Sequence, residues 1–162
     1  MSRYKVFVKI FLISSISILY SLIVDRVLNY FGIQEDELGK YVFENKIQEF
    51  VLVLLVAPIF ETFVFQFLIY YILYFIFKNT KIFVLINKNF FLLIYLILSS
   101  TLFAISHSYS KNYIYIMIIP GVVLAFSFYY FKKHNKYPFW YVSLIHFIHN
   151  GFVLIYSYSN DT

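Results

Sequence analysis

In the stretch VLVLLVAPIFETFVFQFLIYYILYFIF, residues 51–77, the single charged side chain is Glu61. A run of this length and polarity restricts the fold severely. About 20 consecutive apolar residues cross the hydrocarbon core of a bilayer as a helix, and a backbone in lipid must satisfy its own polar groups. The Glu61 run covers roughly 48–77, and four others of similar character cover roughly 6–31, 89–109, 112–131 and 138–158. The expected fold is therefore all-α, a polytopic bundle of about five transmembrane helices forming a single integral membrane domain over 1–162. The Glu61 run exceeds what one crossing needs, and Pro58 marks where it should tilt or break.

Composition agrees with this solvent. The chain is 62% hydrophobic and 13% charged, where soluble domains run near about 45–50% and about 25%. It contains no cysteine, which excludes disulfides and thiolate chemistry. Arg3, Lys5 and Lys9 precede the first run as in a signal peptide. That run is too long for one and lacks a small-residue cleavage site, so a retained helix is expected.

The net charge of +5 invites a nucleic-acid reading, but the basic residues follow membrane topology. Arg3, Lys5 and Lys9, then Lys78, Lys81 and Lys88, then Lys132, Lys133 and Lys136 fall on one side of the bundle without an acidic residue among them. Glu35, Asp36, Glu37, Glu44, Glu49 and Asp161 fall on the other, with Lys40, Lys46 and Lys111. The asymmetry puts the N-terminus in the cytoplasm and the C-terminus outside, in a bacterial plasma membrane. The lipid bilayer is the expected partner, and nucleic acid is not.

Few side chains inside the runs can do chemistry. Glu61 is one, and an intramembrane carboxylate costs ~2.5–3.5 kcal/mol on insertion scales, so it marks a functional site. His107 ends the third run in FAISH, and His146, His149 and Asn150 fall in the fifth in HFIHN. Phe103 and His107 are four apart, as are His146 and Asn150, so each pair shares a helix face. At ~1.5 Å per residue from the cytoplasmic lysines, Glu61 and His107 lie about 25–28 Å up, and His146 and Asn150 about 15–21 Å. The four groups are expected to meet in the outer half of the bundle. His149 is expected to be structural, and Trp140 and the tyrosines to serve as interfacial belt or packing residues.

The order ETFVFQ, FAISH, HFIHN, on separate spans and after the Ala57–Pro58 pair, resembles the CPBP (CAAX protease and bacteriocin-processing, also called Abi) intramembrane endopeptidases. That family carries EExxxR, FxxxH, then HxxxN or HxxxD on successive membrane helices, and the resemblance covers roughly 47–157. It implies a hydrolase that cleaves a peptide bond of a peptide or membrane-protein substrate. Glu61 with His107 would activate the water, and His146 with Asn150 would stabilise the oxyanion. The first motif departs from the pattern, with Thr62 at the second Glu and Gln66 at the Arg. These two are four apart, share a face about 100–140° from Glu61, and form a neutral pair expected to support the site by hydrogen bonding.

The chemistry of amide hydrolysis asks for these residue types: an activated water, a proton for the leaving amine and donors at the oxyanion. Glu61, His107 and His146 also make a three-ligand zinc set with water in the fourth position, though without an HExxH-type local spacing. The expectation is thus no cofactor or a zinc ion. Two readings from other classes stand beside the protease: a non-catalytic membrane scaffold or immunity protein of the same fold, and a small transporter or proton-relay subunit. The lack of an internal repeat argues against transport.

Overall fold

The computed structural model describes residues 2–33, 43–79, 88–134 and 137–160. The loop charges at Glu35, Asp36, Glu37, Lys40, Lys81, Lys136 and Asp161 lie outside the described residues. Within them the chain forms five long helices: α1 Arg3–Tyr30, α2 Lys46–Lys78, α3 Lys88–Ser106, α4 Lys111–His134 and α5 Pro138–Asn160. Each is long and apolar enough to cross a membrane, and no strand occurs among the described residues. The protein is an integral membrane helical bundle. The third helix is shorter than the sequence suggests: it stops at Ser106, and His107–Tyr109 form a turn.

Polarity is arranged as lipid demands. Phe7, Phe11, Phe75 and Ile155 face outward, whereas Ser14, Ser17, Thr62, Gln66, Ser99, Ser100, Ser127 and Ser143 are buried. Between helices in lipid, close packing and hydrogen bonds replace the hydrophobic effect as the source of association. The α3–α4 contact is built on small residues. A Cβ on Gly121 would stand 2.9 Å from the Ser100 Cα, so only glycine lets the two backbones approach this closely. Ala104 and Ala125, four residues further along each helix, are also buried. Around this seam Tyr95, Phe103, Phe128, Phe131, Val142 and Ile145 fill the interior.

Pro120 sits inside α4 and cannot donate to the carbonyl of Ile116, four residues back. The Tyr20 hydroxyl of α1 donates to that carbonyl at 2.8 Å. This bond, together with Ser17–His149 (3.0 Å) and Tyr156 donating to Asp25 (3.2 Å), seats α1 against α4 and α5. His149 therefore ties two helices together, the structural part expected of it. Near the other end of α5 from its lysine-flanked start, Tyr158 donates to Glu49 at the beginning of α2.

Gly121→Ala is expected to lower the stability of the detergent-solubilised protein by about 1–3 kcal/mol, because backbone atoms cannot rotate away from the new methyl. Gly151→Ala is the control: its Cβ would meet only the Leu54 Cδ2 at 3.7 Å, an ordinary contact. Thermal unfolding of both variants, with only the first shifted downward, is the check.

Candidate active site

Glu61 lies on the most irregular helix of the bundle. Within α2, two wide turns of π-helical pitch, Leu52–Val56 and Thr62–Leu68, flank a short regular segment, Ala57–Glu61. Wide turns of this kind insert a residue into the helical phase and leave backbone groups seeking partners. The first arises next to Pro58. The N–H of Ala57 donates to Leu52, five residues back, and residue 58 has no N–H to offer Val53. The Asn150 amide of α5 donates to the Val53 carbonyl at 2.9 Å. The second wide turn is held from α3: Ser99 donates to the Phe65 carbonyl at 2.8 Å and Tyr95 to the Gln66 carbonyl at 3.1 Å.

Tyr95 and Ser99, which hold this turn of the candidate site, lie outside the three short motifs. Their signal is their spacing: Tyr95, Ser99, Phe103 and His107 recur every four residues and so follow one face of α3. The lower half of that face binds the wide turn, and the upper half reaches the carboxylate. Phe103 is buried, with its ring 4.6 Å from the His107 ring and 6.0 Å from the His146 ring, centroid to centroid. Its carbonyl also accepts from the His107 Nδ1 at 2.8 Å. That bond assigns the Nδ1 proton, so in the neutral ring the Nε2 lone pair is the one presented inward.

Inward means toward Glu61. The His107 Nε2 lies 3.7 Å from the Glu61 Oε2, and the His146 Nε2 lies 3.7 Å from the same oxygen. Three helices thus deliver one carboxylate and two imidazoles to a single point. The depth difference computed from the sequence for His146 is closed by the packing of α5 against α2. The site is graded in access: the side chains of Glu61 and His107 are 18% and 16% exposed, that of His146 only 5%. The carboxylate Oε2 and the His146 Nδ1 are buried without a hydrogen-bond partner among the described residues.

The Asn150 amide N–H is engaged by the Val53 carbonyl, toward the start of α2. Thr62 and Gln66 are both fully buried, but the Thr62 hydroxyl and both polar atoms of the Gln66 amide find no hydrogen-bond partner among the described residues. What Gln66 contributes is its backbone carbonyl, because the wide turn aims that group at Tyr95. A metal held by protein side chains needs donors at about 2.0–2.2 Å around one point. No group of three or more His, Cys, Asp or Glu side chains among the described residues is placed to hold one.

Sequence comparison bears on this geometry. The type II CAAX prenyl endopeptidase Rce1-like family matches residues 43–152. The chain belongs to that family. The match takes in α2 to α5 up to Phe152, including all of ETFVFQ, FAISH and HFIHN, and so agrees with the resemblance those motifs carry; α1 precedes it. No curated protein and no solved structure matches the chain.

Because the Gln66 amide is buried and unpartnered, Gln66→Met is expected to leave stability unchanged or raise it by up to ~1–3 kcal/mol. Gln66→Arg alone, which buries a charge without its carboxylate partner, is expected to cost ~3–5 kcal/mol. Adding Thr62→Glu should recover part of that loss. A double-mutant cycle on unfolding free energies tests the coupling.

Proposed function

We propose that the protein is an intramembrane endopeptidase in which Glu61 and His107 activate a water molecule against a peptide carbonyl. The observation that carries this reading is the approach of both Nε2 atoms to one Glu61 oxygen at 3.7 Å. That separation is too long for a direct hydrogen bond and suits one water held by both groups. The Glu61 carboxylate takes the proton as the water oxygen attacks the carbonyl carbon. The His107 lone pair, held inward by the Phe103 carbonyl, orients the water. The His146 Nε2–H keeps its proton and hydrogen-bonds the carbonyl oxygen as it becomes an oxyanion. Collapse of the tetrahedral species breaks the C–N bond, and the proton taken by Glu61 passes to the leaving amine. Every step uses groups of this chain and water.

Family membership supports, as the proposed substrate, a peptide bearing a prenyl chain or a membrane-embedded peptide entering from lipid. The substitution of Thr62 and Gln66 for the acid and base of the first motif favours one competing reading, a non-catalytic scaffold of the same fold that binds such a peptide without cutting it. Purified protein in liposomes, given a fluorogenic farnesylated peptide and an unprenylated transmembrane peptide, separates the two. Cleavage by wild type is expected, with Glu61→Gln folded but slowed by about 10²–10⁴-fold, as for loss of a general base. His146→Ala is expected to be slowed about 10²–10³-fold, as for loss of one oxyanion donor. A chelator is expected to leave wild-type activity unaltered. Binding of either peptide without cleavage by wild type would establish the scaffold instead.

The orientation proposed from loop charges puts α1's start in the cytoplasm. The natural absence of cysteine makes it directly testable. In intact cells Ser108→Cys should react with a membrane-impermeant thiol reagent, and Lys133→Cys should react only after permeabilisation. The reverse pattern would invert the topology.

A further inference from the structure

The proline next to the site forces a choice that the surrounding helices must make for it. Whatever the local pitch, Pro58 leaves one carbonyl of α2 without a backbone donor. In a regular α-helix that carbonyl is Leu54, four residues back; at the wide pitch actually adopted it is Val53, five back. The two alternatives differ by one residue of helical phase, about 100° of rotation. Glu61 lies three residues beyond Pro58, so the choice determines where its carboxylate points relative to the beginning of α2. In lipid neither carbonyl has water to fall back on. The structure satisfies Val53, and does so with the side chain of Asn150 at 2.9 Å, while Ala57 donates to Leu52.

We infer that Asn150 is a positioning residue that selects the wide pitch at Pro58 and thereby aims Glu61, acting through the Val53 carbonyl. The inference rests on the reading of Glu61 as the base, but its geometric half is independent of any activity. The second wide turn supports it from the other side: Ser99 and Tyr95 hold the Phe65 and Gln66 carbonyls, so the segment bearing Glu61 is pinned at both ends to the two helices that carry its histidine partners. His146 and Asn150, one turn apart on α5, then divide the work, the first facing the Glu61 oxygen and the second the backbone that holds Glu61.

Two measurements test this. Spin labels on cysteines replacing Phe60 and Ile155, both exposed to lipid, report the placement of the Glu61 segment against α5. Asn150→Ala is expected to shift or broaden that distance distribution, in protein that remains folded; an unchanged distribution overturns the inference. The second measurement is a kinetic cycle with Pro58→Ala, which removes the orphaned carbonyl and with it the need for Asn150. In the natural background Asn150→Ala should lower kcat by about 10²-fold with KM unchanged. On top of Pro58→Ala it should add no more than about tenfold, a coupling that a direct oxyanion donor would not show. Equal factors in the two backgrounds overturn the inference. Should Pro58→Ala itself abolish cleavage, or should no peptide be cleaved at all, the label distances decide.

Discussion

A backbone carbonyl in hydrocarbon that loses its helical donor to a proline must find another inside the protein, and this bundle answers that need with side chains from neighbouring helices. Pro120 strips Ile116 of its donor and Tyr20 replaces it; at the wide turn beside Pro58 the Val53 carbonyl takes Asn150, and at the second wide turn Ser99 and Tyr95 add bonds to the Phe65 and Gln66 carbonyls. Each replacement comes from a different helix than the carbonyl it serves. A local defect in one helix is thereby converted into a specific bond to another. In water these bonds would compete with solvent and define little; in lipid no water competes with them, so together they fix which helices touch and at what height.

The same defects create the site. A straight α2 would be a smooth apolar rod with one carboxylate on it. Two wide turns close together shift the phase of the short segment between them, and the phase is what brings Glu61 round to His107 and His146. On α3 the stripe Tyr95, Ser99, Phe103, His107 binds the defect with its first two members and serves the carboxylate with its last two. Holding the helix and holding the chemistry are therefore one packing event. Phe103 joins them: its ring packs beside both imidazoles and its carbonyl fixes the His107 tautomer.

Family membership is a statement about α2 to α5, since the match begins at residue 43. α1 stands outside the match yet is bonded to the helix that carries two of the motif residues, through Ser17 on His149 and Asp25 on Tyr156. Its part in the molecule is to back α5. Thr62 and Gln66 are both sealed from lipid, and among the described residues neither side chain has a hydrogen-bond partner; the bond to α3 is made by the Gln66 backbone carbonyl, which accepts from Tyr95.

By itself the sequence determined the solvent, the five crossings and the family, because apolar run length, charge asymmetry and ordered short motifs are properties of consecutive residues. It also named Glu61, His107 and His146, since an intramembrane carboxylate and imidazoles stand out against an apolar background. Only the tertiary structure decided how they meet. The rise-per-residue estimate assumed straight helices, and left His146 about 10 Å below Glu61; packing of α5 against α2 removed that gap. The end of α3 before His107, and the assignment of Asn150 to Val53, were likewise invisible in one dimension. A wide helical turn is chosen by which carbonyl a neighbouring helix can satisfy, and a single sequence does not say which neighbour stands within 3 Å.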